Sequence, residues 1–143
     1  MFRKPILCLT VAMIVFFHAA RLGLVAFDPY LGSRTLAEAY KAAPPGELIV
    51  DNQYYTFSSV FFYGDVRRAW LLNGRKTNLE YGSHAPGAPD VFIDDAAFAE
   101  MWRSARRYYV LIEGPEKPRF ESLTAGSPIL VKSSGGKYLF TNR

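Results

Sequence analysis

The segment that most constrains this chain is Pro5 to Phe27. Sixteen residues from Pro5 to Ala20 carry no formal charge, and most are Leu, Ile, Val, Phe, Met or Ala. Arg21 interrupts the run, Leu22 to Phe27 resume it, and Asp28 closes it. At a helical rise of 1.5 Å per residue the uncharged part reaches about 24 Å, and the whole run about 35 Å. A bilayer interior of about 30 Å is spanned if Arg21 reaches toward the interface. Arg3 and Lys4 stand before the run, so the positive-inside rule places the N-terminus in the cytoplasm and the rest outside.

Three readings compete for this segment: a membrane anchor, a cleaved signal peptide, and a buried core helix. The basic start and apolar core suit a signal peptide, but Phe17-His18-Ala19-Ala20 offers Phe or His where a small residue is wanted. The first two readings agree that residues 28–143 are delivered across a membrane. The expected organisation is an anchor at 1–27, a linker with a capping helix at 28–46, and an extracytoplasmic domain at 47–143. Its expected location is the inner membrane, single-pass, with the bulk of the chain periplasmic.

About 115 residues beyond the anchor suffice for one domain with its own core. The net charge of +4 suggests nucleic acid, but setting aside Arg3, Lys4 and Arg21 leaves 14 basic against 13 acidic residues. No basic stripe remains for phosphodiesters, so no nucleic-acid partner is expected. The single cysteine, Cys8, lies in the apolar run, which leaves the body of the chain without disulfide or thiol chemistry.

Asp28 to Ser33 reads as a turn-rich link. Thr35-Leu-Ala-Glu38 has capping-box spacing, and Leu36, Ala39, Tyr40 and Ala43 form one helical face that Pro44-Pro45-Gly46 ends. Glu47 to Asp51 is a buried strand; Asp51 and Asn52 at its end are placed to cap the next element, and Asp51, at a strand's carboxyl end, also stands where α/β folds place ligands, with capping the preferred reading. Gln53 to Tyr63, rich in Tyr and Phe, reads as a helix closed by Gly64, although its aromatics would also suit a strand. Arg68 to Leu72 and Val91 to Ile93 are short strands, with mostly loop between them and local order at Asn78 to Gly82. Asp94 or Asp95 caps a helix with Phe98, Met101, Trp102 and Ala105 on its apolar face. Tyr108 to Ile112 is the strongest strand. A short helix from Pro118 to Ala125, ended by Gly126, precedes a hairpin around Ser133-Ser134-Gly135-Gly136. Alternating strands and helices predict an α/β fold: one N-terminal transmembrane helix, then a small domain with a mostly parallel sheet covered on both sides and a C-terminal antiparallel hairpin.

No nucleophile elbow, phosphate-binding loop or metal-spaced His or Cys set is present, so no catalytic residue, metal site or cofactor is expected. Ser58-Ser59 reads as a pair bonding back to its helix, and His84 as a solvated loop residue. Tyr54 and Tyr55 head an aromatic block that either builds core or rests on sugar rings, lipid headgroups or a membrane helix. Arg75 to Asn78 is either a solvated basic turn or a contact for anionic phosphates.

The order of pieces resembles the C-terminal end of bacterial family-39 glycosyltransferases. These membrane enzymes are similar to dolichyl-phosphate-mannose protein mannosyltransferases and to the lipid A aminoarabinose transferase. Pro45-Gly46 before a strand, Tyr54-Tyr55, Asn78-Leu-Glu-Tyr-Gly82, and Phe92-Ile93-Asp94 leading to Phe98 and Trp102 carry the resemblance. It implies a final membrane span followed by a small extracytoplasmic α/β domain. The family's catalytic aspartate lies in an early loop without a counterpart here, so the resemblance implies no activity for this chain by itself. By the same analogy Tyr54, Tyr55, Arg75, Asn78 and Tyr81 would contact a multi-span glycosyltransferase subunit or a polyprenyl-phosphate sugar. A single-span module binding cell-envelope glycans or lipids, and a small exported enzyme, are the readings from other classes.

Overall fold

A computed structural model describes residues 3–125 and 128–143. Helix α1 (Arg3–Leu31) has no buried residue and is long and apolar enough to cross a membrane. It therefore packs into no core of this chain. It also runs on through Asp28-Pro29-Tyr30-Leu31, where the sequence suggested a turn. Gly32 N–H closes it onto the Asp28 carbonyl at 2.7 Å.

The body is an α/β domain. In chain order it comprises α2 (Arg34–Ala42), β1 (Glu47–Asp51), a 3-10 turn (Tyr54–Phe57) leading into α3 (Ser58–Gly64), and β2 (Trp70–Leu72). Then come α4 (Asn78–Gly82), β3 (Phe92–Ile93), α5 (Asp95–Arg103), β4 (Tyr108–Glu113) and a second 3-10 turn (Gly114–Glu116). Helix α6 (Lys117–Leu123) and the hairpin β5 (Ile129–Ser134) and β6 (Lys137–Thr141) complete it. The expected stop at Gly126 lies outside the described residues.

The six strands are ordered β3-β2-β1-β4-β6-β5. β1 pairs in parallel with β2 and β4, β2 pairs in parallel with β3, and β6 runs antiparallel to both β4 and β5. Strand alternation divides the core. Leu48 and Val50 of β1, with Tyr109 and Leu111 of β4, face Leu36 and Ala37 of α2 and Phe57 and Val60. Ile49, Tyr108, Val110 and Ile112 face Phe98 and Trp102 of α5 and Phe120 of α6. On that second side Trp102 meets Phe120 at 5.6 Å between ring centroids, and Phe120 meets Phe140 at 5.0 Å. Tyr108 through Ile112 are all buried, and each contributes roughly 1.5–3 kcal/mol of burial.

Local chemistry departs from the sequence reading at two helix ends. Ser33, not Thr35, is the N-cap of α2, and Glu38 pairs with Arg34 at 2.8 Å instead of reaching back. Ser33 is turned inward: its hydroxyl donates to the Thr56 carbonyl and its N–H donates to Ser59 Oγ at 2.8 Å. Thus Ser59 ties two helices together and does not bond back along its own. At the end of α3 the left-handed residue is Asp65 (φ 52°), one position past Gly64. Asp94 caps α5 as expected, accepting from the Ala97 N–H at 2.8 Å.

Candidate functional site at the carboxyl edge of the sheet

The four parallel strands bring Asp51, Leu72, Ile93 and Glu113 to one edge of the sheet. After β1 the chain leaves toward the face covered by Phe57 and Val60, and after β4 toward the face covered by Phe120. Neighbouring strands whose connections depart in opposite directions open a crevice at their carboxyl ends, the usual ligand position in open α/β sheets.

Here the crevice holds an ion network. Asp51 is 1% exposed and accepts from Arg119 Nη2 through both oxygens, at 2.5 and 2.6 Å. The same guanidinium donates to Asp95 Oδ1, and through Nε to Glu116 Oε2 at 3.2 Å. Asn52 Nδ2 donates to Glu116 at 3.0 Å and Lys76 Nζ donates to Asn52 Oδ1 at 2.6 Å. Asn73 Nδ2 donates to Asp95 at 2.8 Å. Both asparagines hold left-handed backbone (φ 64° and 51°), which this residue type tolerates better than most. Two cations thus face three carboxylates. Burial pushes the Asp51 carboxyl up to about 6 against the pull of Arg119, with Glu116 and Asp95 adding to the rise. Burial works to lower the Arg119 pKa, but Asp51, Asp95 and Glu116 together raise it. Among the described residues every buried side-chain polar atom has a partner, so the network locks the crevice loops together.

Capping was therefore the wrong role for Asp51: its carboxylate is committed to Arg119, and no side chain caps the turn at Tyr54. Sequence reasoning missed Arg119 and Glu116, because an arginine 68 positions from its partner gives no local signal. Only the strand order puts the loop after β4 beside the end of β1.

The expected contact residues separate into three places. Tyr55 Oη donates to Asn78 Oδ1, joining the β1 and β2 loops. Tyr54 stands edge-on to Tyr55 at 5.5 Å and to Phe61 at 4.9 Å. Arg75 lies over the Phe92 ring at 5.1 Å and lines an open cleft of about 350 Å³ with Asn73, Gly74, Ile93 and Asp94. Tyr81 on α4 is 83% exposed and stands out into solvent. His84 is exposed on the loop after α4.

Helix α1 ends at this same edge. Lys137 begins β6 opposite Glu113, and its buried ammonium donates to the carbonyls of Tyr30 (3.0 Å) and Gly32 (2.9 Å). Burial lowers the Lys137 pKa, opposed by Glu113 and Asp28. The hairpin turn presses on the helix so closely that a Cβ on Gly135 would sit 1.9 Å from the Pro29 carbonyl oxygen.

No family model matches the sequence, and no curated protein matches it significantly. Among solved structures the chain is similar to ArnT from Cupriavidus metallidurans in the apo state. The TM-score is 0.57 at 18% identity, over 80% of this chain and 20% of that one. It is likewise similar to ArnT from the same organism bound to undecaprenyl phosphate, with a TM-score of 0.57 at 15% identity, over 78% and 20% of the two chains. At such identities the likeness is one of fold, and this chain spans about a fifth of that protein's length.

Proposed function

We propose that this chain is the membrane-anchored, extracytoplasmic terminal part of a glycosyltransferase that uses a polyprenyl-phosphate sugar. In this reading α1 spans the inner membrane once, the α/β domain lies on the periplasmic side, and catalysis resides in a multi-span partner. One observation carries the proposal: α1 joins the domain at the carboxyl edge of the sheet, the edge that also bears Tyr55, Arg75 and Asn78. A spanning α1 turns those residues toward the lipid headgroups, where a polyprenyl phosphate would present its charge. Aromatic rings and a guanidinium suit that layer. The fold likeness to a protein crystallised with undecaprenyl phosphate supports the ligand class.

The test is purification of the full chain from native membranes in mild detergent, followed by photolabelling with an undecaprenyl-phosphate analogue. A multi-span glycosyltransferase should co-purify, and labelling should map to residues 54–55 or 75–81. Recovery of the chain alone overturns the proposal. If the lone chain then binds cell-envelope glycan, and Tyr55→Ala abolishes that binding, the single-span binding module takes its place.

A further inference from the structure

Between Pro5 and Asp28 the polar side chains of α1 are Thr10, His18, Arg21 and Asp28. At about 100° per residue they fall within an arc of about 80°, a single polar stripe on an otherwise apolar helix. Three of the four are provided for. Thr10 donates to the Ile6 carbonyl at 3.0 Å, and His18 Nδ1 lies 2.9 Å from the Ile14 carbonyl. Asp28 sits in the field of Lys137. Among the described residues no salt bridge engages the exposed Arg21 guanidinium.

Arg21 lies seven residues, about 10 Å, inboard of Asp28. The apolar run alone suggests that Arg21 reaches the interface; helix geometry opposes this, because Cα–Cβ bonds tilt toward a helix N-terminus, here deeper into the membrane. The farther interface, near Lys4, is about 25 Å away. Ionisable groups at such depth face other protein and pair with it. A second copy of this chain in the same orientation would set Arg21 against Arg21, a repulsive contact.

We infer that the stripe is a docking face for a different transmembrane helix, one carrying an Asp or Glu carboxylate at the depth of Arg21. The inference rests on the proposed anchor, but not on which enzyme the partner belongs to. Arginine donates in parallel to both oxygens of such a carboxylate, which fixes rotation as well as depth.

The experiment places a benzophenone amino acid at Ile14 or Val25, which lie within the arc of the stripe, in the full chain in native membranes. The expected adduct is to a membrane protein whose cross-linked segment contains an intramembrane Asp or Glu. Its yield should fall about tenfold in Arg21→Leu and by less in Arg21→Lys, which keeps the charge but loses the paired donors. Arg21→Leu makes the helix more apolar, so a loss of adduct is not a failure to insert. Neutralising the partner's acid in the Arg21→Leu background should cost nothing further. Adducts to lipid alone, to a second copy, or to a segment without an acid would each overturn the inference. So would a yield indifferent to Arg21→Leu. An Arg21-dependent adduct to a protein that is not a glycosyltransferase would leave this inference standing and remove the proposed function.

Discussion

Arg119 is the residue on which the carboxyl edge turns. It is the only cation in direct contact with Asp51 among the described residues, and replacing it with Met strands a buried carboxylate. Removing one partner of such a pair costs about 3 kcal/mol or more, and chemical denaturation of the detergent-solubilised chain should show it as a lower midpoint. Asp51 makes a pH prediction of definite sign. Its folded pKa of about 6 lies above the ordinary carboxylate value of 3.8. Between those values the folded state binds more protons than the unfolded, so this group's stabilisation is complete below about pH 4 and is lost as pH rises through 6. The loss is on the order of 2–3 kcal/mol. Asp51→Asn should therefore flatten the stability profile between pH 4 and 7 relative to the unmodified chain. A profile with the same slope in both proteins would contradict the assignment. Asp51 was visible in the sequence as a carboxylate at a strand end, but its role was not. Whether it caps a turn or meets an arginine depends on which strand lies next to it, and sequence order does not fix spatial order.

Elements were more legible than their ends. The apolar run in Leu48 to Val50 and the run Tyr108 to Ile112 set out a sheet covered on both faces, and those strands form where expected. The aromatic block after β1 is helical as its spacing indicates. What local pattern could not supply is the continuation of α1 through Pro29. In water Asp28-Pro29 is a turn signal. Here the final carbonyls are satisfied by an ammonium 107 and 105 residues away. Gly135 makes that docking possible on two counts. Its φ of +55° belongs to a two-residue hairpin turn, and the Pro29 carbonyl occupies the space of a side chain. Gly135→Ala should cost about 2 kcal/mol and loosen the junction. Limited proteolysis between Leu31 and Ser33 would report it as faster cleavage, while the hairpin-distal Gly87→Ala should leave that rate unchanged.

For the whole molecule, membrane position is set by where the anchor enters. With α1 in a bilayer, Tyr81 near the carboxyl edge should lie in the headgroup layer, and Arg67, just before β2, at the opposite edge in water. A Tyr81→Trp variant in vesicles should be quenched by brominated lipids, and an Arg67→Trp variant should not. Equal quenching of both would mean that the domain lies on its side. β6 runs away from the hairpin turn and delivers Arg143 next to Arg107 and Ser104, at the edge farthest from α1. With α1 in a bilayer, a fluorophore or affinity handle fused after Arg143 would accordingly hang in open water, a whole strand's length from the lipid. It would report on the domain without obstructing anything that approaches along the bilayer surface.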